Sequence, residues 1–324
     1  MSVNIITSLH RRAYLIKKYI NNNFHTYSND VYKSYLLIKE PKLRRFVTFS
    51  KLGNYGRLGN QLFQYALLKS YAKYNNIPIL LPPYNEHRLG DFKINHPSFP
   101  VNYLELASNY QYTQDSFHFI PNYINFHKRI NFEGFFQSEK YFSNIKEDII
   151  KEFQLCDNNK IQFATKLIKN LKALNSNKTL VSVHVRRGDN VPSEISYGDK
   201  YIGAYRQDKE IKHPLLKVDY YRNAMQLFSN SIYIFFSDTD QDIEWCKKTF
   251  ENDTNIFLHY DDLTDFTIMQ MCDHNIISNS TFSWWAAWLN NNKEKRIIYP
   301  SIWFGEYYAH WDLKDLLPGN WRKI

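Results

Sequence analysis

Between residues 179 and 299 short apolar runs alternate with helix-spaced segments, which predicts an α/β unit with a doubly wound parallel sheet. Three observations carry this. The run at 179–185 is apolar with little alternation, as a strand covered on both faces would be, and it breaks at once into Arg186, Arg187, Gly188 and Asp189. Runs at 231–236, 255–260, 274–278 and 296–299 repeat the pattern, with helix-spaced stretches at 219–228, 243–250, 264–272 and 284–289 between or beside them. Three of these strands end in residues able to hold a ligand: Arg186, Arg187 and Asp189, then Asp238, then the turn at 279–283. In an open parallel sheet a ligand sits beyond the carboxyl ends of the strands.

Taken from the N-terminus, residues 3–20 space Ile5, Ile6, Leu9, Ala13, Ile16 and Ile20 as one helix face, with Arg11, Arg12, Lys17 and Lys18 on the rest of the turn. Such a helix either docks on the body or lies weakly on an anionic membrane surface. A strand at 45–50, a glycine loop at 53–61, a helix at 62–74 and a strand at 77–81 make a βαβ unit. The loop either brings backbone amides to a phosphate or is a tight turn whose Asn60 caps the helix. Residues 82–130 show no clean period and read as irregular, followed by an ordered patch at 134–142 and helices at 145–153 and 161–174. The polar joint at 175–178 predicts a boundary, dividing the chain into a basic arm (1–44), an N-terminal domain (45–175) and a C-terminal domain (176–324). The long polar stretch at 190–217 predicts a functional loop over a cleft.

Net charge is +9, but residues 1–51 hold ten Lys or Arg against Asp30 and Glu40, so the body is near neutral. A nucleic-acid binder would carry its cations on the recognition fold itself, so no nucleic-acid partner is expected. Cys156, Cys246 and Cys272 have no paired spacing, which argues against a disulfide framework or a zinc site. With no apolar run of membrane-spanning length and no signal-peptide core, the expected location is cytoplasmic, peripheral to a membrane if the arm binds one. Sequons at Asn177, Asn252 and Asn279 are then silent, and a glycan on Asn279 would block the predicted site.

Two adjacent guanidiniums at a strand end match diphosphate oxygens, or they pair with nearby carboxylates. Read in order, GRLGNQLFQYA at 56–66, FQSEKYF at 136–142, HVRRGD at 184–189, FSD at 236–238 and ISNSTFSWWAAWL at 277–289 resemble the successive motifs of the α-1,2-fucosyltransferases, glycosyltransferase family 11. The motifs cover the chain from about residue 45 onward, leaving 1–44 outside. The resemblance implies a GT-B fold, two Rossmann-like domains facing across a cleft, with the acceptor on the N-terminal side and GDP-fucose on the C-terminal side. It implies an inverting transfer of L-fucose from GDP-β-L-fucose to the 2-hydroxyl of a terminal galactose, with no metal or other cofactor required. It implies that Arg186 contacts the β-phosphate, that His184, Asp189 and Asp238 belong to the donor pocket, and that Gly59 and Asn60 approach the nucleotide sugar. Arg57 stands where many bacterial members have a second glycine.

The chemistry agrees with these roles. Negative charge grows on the departing diphosphate, so Arg186, Arg187 and the Ser280, Thr281 and Ser283 turn at a helix N-terminus would stabilise it. The acceptor proton needs a base, for which Asp189 and Glu194 are candidates. Two rival readings have features of their own. Asp238-Thr-Asp240 and Asp240-Gln-Asp242 match a metal-binding DxD pattern, though acids here also suit the start of a helix. Trp284, Trp285 and Trp288 suit a sugar-stacking platform in a non-catalytic binding protein, though their spacing also suits a packed core.

Overall fold

The computed structural model describes residues 29–114, 116–187, 213–253, 255–308 and 310–324. Residues 1–28 lie outside this set, as do Asp189 and Glu194. The expected arm is not uniform, because α1 (Asn29–Lys39) docks on the body. Leu36 of α1 is buried with Leu43, Phe46, Leu80 and Leu104, an apolar contact that ordinary burial explains.

The N-terminal half carries β1 (Phe46–Thr48), α2 (Leu58–Asn75), α3 (Val101–Ala107), β2 (Tyr110–Thr113), β3 (Arg129–Glu133), α4 (Lys146–Glu152) and α5 (Asn158–Leu174). Its sheet is parallel, in the order β1-β3-β2. The predicted strand at 77–81 is reduced to backbone bonds beside β1, where Val47 N donates to Pro78 O (2.9 Å) and Leu80 N donates to Val47 O (3.0 Å). The proline removes one donor from that edge. The region read as irregular contains α3, β2 and the first residues of β3. Helix α2 starts at Leu58, four residues before the predicted start, so Asn60 lies inside the helix and the N-cap is Arg57.

The C-terminal half carries β4 (Thr179–Val185), α6 (Val218–Met225), β5 (Ser231–Ser237), α7 (Asp240–Phe250), β6 (Asn255–Phe257), α8 (Asp262–Met271), β7 (His274–Ile276), α9 (Thr281–Leu289), β8 (Ile297–Tyr299) and β9 (Arg322–Lys323). All pairings are parallel, in the order β6-β5-β4-β7-β8-β9. Counted from β4 this is the 3-2-1-4-5-6 order of a doubly wound sheet, whose topological switch falls between β4 and β7. A crevice must open there, at the ends of the strands carrying His184 and Ser278. The two parallel α/β sheets are those expected of the GT-B type, with the N-terminal one reduced to three strands.

The halves share a core along α2 and α9. Phe63 of α2 lies 4.5 Å from the ring of Trp284 and 4.8 Å from that of Trp285. Trp284 and Trp285 are fully buried and Trp288 nearly so. Each indole N–H is satisfied: Trp284 donates to Leu316 O (3.1 Å), Trp285 to Gly59 O (3.0 Å) and Trp288 to Glu139 Oε2 (3.0 Å). The tryptophans are therefore core, not a sugar platform. Helix α5 crosses to the other half, where Lys172 pairs with Asp273 (2.6 Å) and Lys160 with Asp261 (2.7 Å). The C-terminal segment returns the other way, with Asp315 accepting from Phe119 N (2.9 Å) and Lys140 Nζ (2.5 Å). Among the described residues, no helix is long and apolar enough to cross a membrane.

Candidate active site

Two helix N-termini meet at the crevice. Gly59, in the first turn of α2, faces the first turn of α9 so closely that a Cβ would lie 2.5 Å from the Thr281 carbonyl carbon and 2.7 Å from Phe282 N. Only glycine permits that approach. Each N-terminus presents unsatisfied amides and about half a positive charge. The motif after Gly56 fastens the loop that feeds α2. Gln61 Nε2 donates to Gly56 O (3.2 Å) while its Oε1 accepts from Arg88 N (2.8 Å), and Gln64 Nε2 donates to Tyr55 O (2.9 Å) and Gly134 O (3.1 Å).

A cavity of about 630 Å³ opens where these N-termini meet the ends of β4, β5 and β7. His184, Arg186, Asp238, Ser280 and Thr281 line it from the C-terminal half, and Gly59 and Arg57 from the N-terminal half. A second cavity of about 220 Å³ adjoins it, and Gly56, Arg57, Arg186, Ser280 and Thr281 line both. The junction is thus built from two guanidiniums, Arg57 and Arg186, and the two helix starts.

The adjacent arginines part company. Arg186 faces the cavity, where its Nη1 donates to Ser280 Oγ at 3.4 Å. Arg187 turns towards α7. Its backbone N–H donates to Asp238 Oδ2 (3.0 Å), its Nε donates to Asp242 Oδ1 (3.3 Å), and its guanidinium lies 3.8 Å from the Trp245 ring centroid. Carboxylate pairing, one of the two readings of the pair, thus describes Arg187, whose side chain does not line the cavity. Asp242 is buried and accepts from Thr239 Oγ1 (2.8 Å), while Thr239 Oγ1 caps α7 by accepting from Asp242 N (3.1 Å). Of the DxD acids, Asp240 and Asp242 belong to that helix start, while Asp238 lines the cavity. Among the described residues no group of three or more His, Cys, Asp or Glu is placed to hold a metal ion.

His184 is buried, and its Nδ1 shares a hydrogen bond of 2.8 Å with Ser278 Oγ. Burial, with the nearby Arg186 charge, pushes its pKa down to about 3, so the imidazole is neutral and positions rather than carries charge. Ser283 is also buried, with its hydroxyl donating to Ser280 O (3.2 Å), and it lines neither cavity. Asn60 sits on the second cavity, where its Oδ1 accepts from Gln137 Nε2 (2.9 Å). Asn279 is buried and its Nδ2 donates to Pro214 O (2.9 Å) and Trp303 O (3.1 Å), leaving no room for a glycan in the folded state.

Some of the cavity wall escaped the sequence reading. Asp265 of α8 is buried there and accepts from Tyr260 N at 3.2 Å. Desolvation raises its pKa to about 8, helped by the charges of Asp261 and Asp262. Its sequence signal is only an acid in the first turns of a helix, which the helix dipole explains equally well. Arg88 and Asp262 face each other across the opening, with Nη1 to Oδ2 at 2.5 Å, and tie the two halves. Arg88 has no motif around it.

Known proteins similar to this chain point to one family. The chain matches Glycosyl transferase family 11 over residues 3–322, so the stretch before residue 45 falls within the family match although the recognised motifs do not reach it. An alpha-1,2-colitosyltransferase of Escherichia coli is 30% identical over 310 residues, covering 83% of this chain and 96% of that protein. Galactoside alpha-(1,2)-fucosyltransferase 2 of Gorilla gorilla gorilla is 27% identical over 252 residues, covering 72% of this chain and 67% of that protein. A variant of Arabidopsis thaliana FUT1 solved with GDP is 11% identical with a TM-score of 0.49, covering 83% of this chain and 78% of that one, a likeness too loose to rest anything on. With a match that runs through almost its whole length, the chain belongs to glycosyl transferase family 11.

Proposed function

We propose that the protein is an inverting α-1,2-fucosyltransferase that moves L-fucose from GDP-β-L-fucose to the 2-hydroxyl of a terminal galactose, without a metal ion. The observation that carries this is the meeting of Arg186, Ser280 and two helix N-termini at the junction of the two cavities. A diphosphate seated there meets a guanidinium and fixed amide dipoles, the groups needed where charge grows as the bond to C1 breaks. The nucleoside then lies in the larger cavity. Asp265 faces it, and its carboxylate form suits the N1–H and 2-amino donors of guanine. Asp238 is in reach of a ribose hydroxyl.

The acceptor oxygen attacks C1 from the face opposite the phosphate, the C1–O bond breaks with its electron pair leaving on GDP, and the hydroxyl proton passes to a base. Asp189 and Glu194 are the candidates for that base, and the α product follows from the single inversion. A second donor deserves equal standing, because the relative at 30% identity is named for colitose, a sugar that shares the 6-deoxy carbon and lacks the 3-hydroxyl.

The test is GDP release from GDP-fucose with lactose or N-acetyllactosamine, in EDTA, for wild type and Arg186→Ala. Turnover that survives EDTA and falls about 100- to 1,000-fold in the variant supports the reading. Loss in EDTA restores a metal-dependent reaction, and turnover with GDP-colitose alone moves the assignment to that donor.

A further inference from the structure

The edge of the N-terminal sheet remote from the crevice gathers cations from three separate segments. Strands β1, β3 and β2 are parallel, so the residues that precede them share one edge. There Phe46 N donates to Lys128 O (2.8 Å), and Arg45 Nη2 donates to Asn75 O (3.1 Å) at the end of α2. Arg44 Nε donates to Leu37 O (2.7 Å) in α1. Segments 37–45, 73–76 and 125–128 therefore meet in one face. They hold Lys39, Lys42, Arg44, Arg45, Lys73 and Lys128, all exposed, against the single acid Glu40. Lys73 pairs with Asp148 (2.5 Å) from α4, and among the described residues no carboxylate pairs with the other five.

Apolar side chains stand among these cations. Ile38 is 65% exposed, Tyr74 64% and Phe126 50%, and the Arg45 guanidinium lies 5.5 Å from the Phe126 ring centroid. Such a mixture suits the boundary of an anionic bilayer, where cations meet headgroup phosphates and apolar tips enter the acyl edge. A nucleic-acid duplex would use the cations and leave the apolar tips without a role.

Helix α2 sets the orientation. Its first turn lies at the crevice and its last at this face, and 18 residues of helix place the two about 27 Å apart. A protein resting on this face holds the crevice away from the surface, where a water-soluble nucleotide arrives.

We infer that this face docks on an anionic lipid surface, with Lys42, Arg44, Arg45 and Lys128 at headgroup phosphates and Ile38, Tyr74 and Phe126 at the acyl boundary. The contact is separate from the helix expected at 3–20 and independent of the transfer reaction, since it concerns where the protein sits rather than what it transfers.

The experiment is cosedimentation of the full chain with vesicles of phosphatidylcholine alone and of phosphatidylcholine with phosphatidylglycerol in equal parts. Binding is expected on the anionic vesicles only, and it should fall as salt rises. The Lys42→Gln and Lys128→Gln double variant should bind them about 10- to 30-fold more weakly. Tyr74→Ser with Phe126→Ser should lose about 10-fold. Melting temperatures check the fold, and if the aromatic pair does not fold, the exposed lysine pair carries the test. Kd for GDP should be unchanged when vesicles are added, because the crevice lies at the far end of α2. A chain that binds vesicles but not GDP would sink the donor reading and leave this one standing. Equal binding to both kinds of vesicle would overturn the inference. So would binding that survives both double variants and is lost only when Arg11, Arg12, Lys17 and Lys18 are changed to Gln, which would place the contact on residues 1–20. Tighter binding to duplex DNA that is unaffected by Tyr74→Ser with Phe126→Ser would give the face to nucleic acid instead.

Discussion

Arg186 and Arg187 show how one residue of offset decides a role. Successive side chains leaving a strand point to opposite faces, so one guanidinium of an adjacent pair reaches the crevice and the other reaches helix α7. Their replacements should fail differently. Arg186→Ala should keep its melting temperature and lose turnover, while Arg187→Ala should lose about 1–3 kcal/mol of stability, because the buried Asp242 carboxylate loses that cation and Trp245 its stacking partner. Chemical denaturation beside steady-state rates separates the two. Asp265 gives a pH signature at the same scale. Its pKa is raised to about 8 in the free site, so on the proposed pairing of its carboxylate with guanine, binding below that pH releases a proton. Affinity for GDP-fucose should therefore rise as pH goes from about 6 to about 8 and level off above, and Asp265→Asn should flatten that slope. A flat wild-type profile in calorimetry would remove Asp265 from base recognition.

Helices α2 and α9 form the element on which the site depends, since each brings an N-terminus and their contact sets the spacing. Gly59→Ala forces a methyl to within 2.5 Å of backbone in α9, so the helices must part. The expected cost is about 1–3 kcal/mol, with GDP affinity falling together with the melting temperature. The far end of α9 is held by Lys295, whose Nζ donates to Ala287 O (2.9 Å), Trp288 O (2.9 Å) and Asn290 O (2.6 Å). Lys295→Met should lower stability by about 1–3 kcal/mol and leave the Kd for GDP unchanged in the folded protein, since it acts at the end remote from the crevice. The same elements show the reach of a periodicity argument. The long strands β4 and β5 and the long helix α5 are plain in the sequence. Strand β3 is not, because its middle residues are buried without alternation and it follows a stretch rich in turns. Strand β2 is exposed along most of its length, and its four-residue alternation of Tyr110 and Tyr112 with polar residues is too short to mark a strand.

At the scale of the molecule, the halves are joined by segments that cross from each to the other: α5 against the C-terminal half and residues 303–321 against the N-terminal half. Any motion that opens the crevice must work against those contacts and the Arg88–Asp262 pair. That pair is partly exposed and worth little on its own, at most about 1 kcal/mol.

The sequence by itself determined the doubly wound C-terminal sheet, the glycine corner before α2 and the ordered set of motifs that marks the family, because period, turn chemistry and local spacing are properties of neighbouring residues. Only the tertiary structure decided which arginine faces the crevice, that the tryptophans are core, that the Ser283 hydroxyl is bound within its own helix start, and that Asp265, Arg88 and Gln137 line the cavities. Those outcomes depend on contacts between segments far apart in the chain, such as Gly59 against Thr281 and Gln137 against Asn60, and no local pattern encodes which distant surface a side chain will meet.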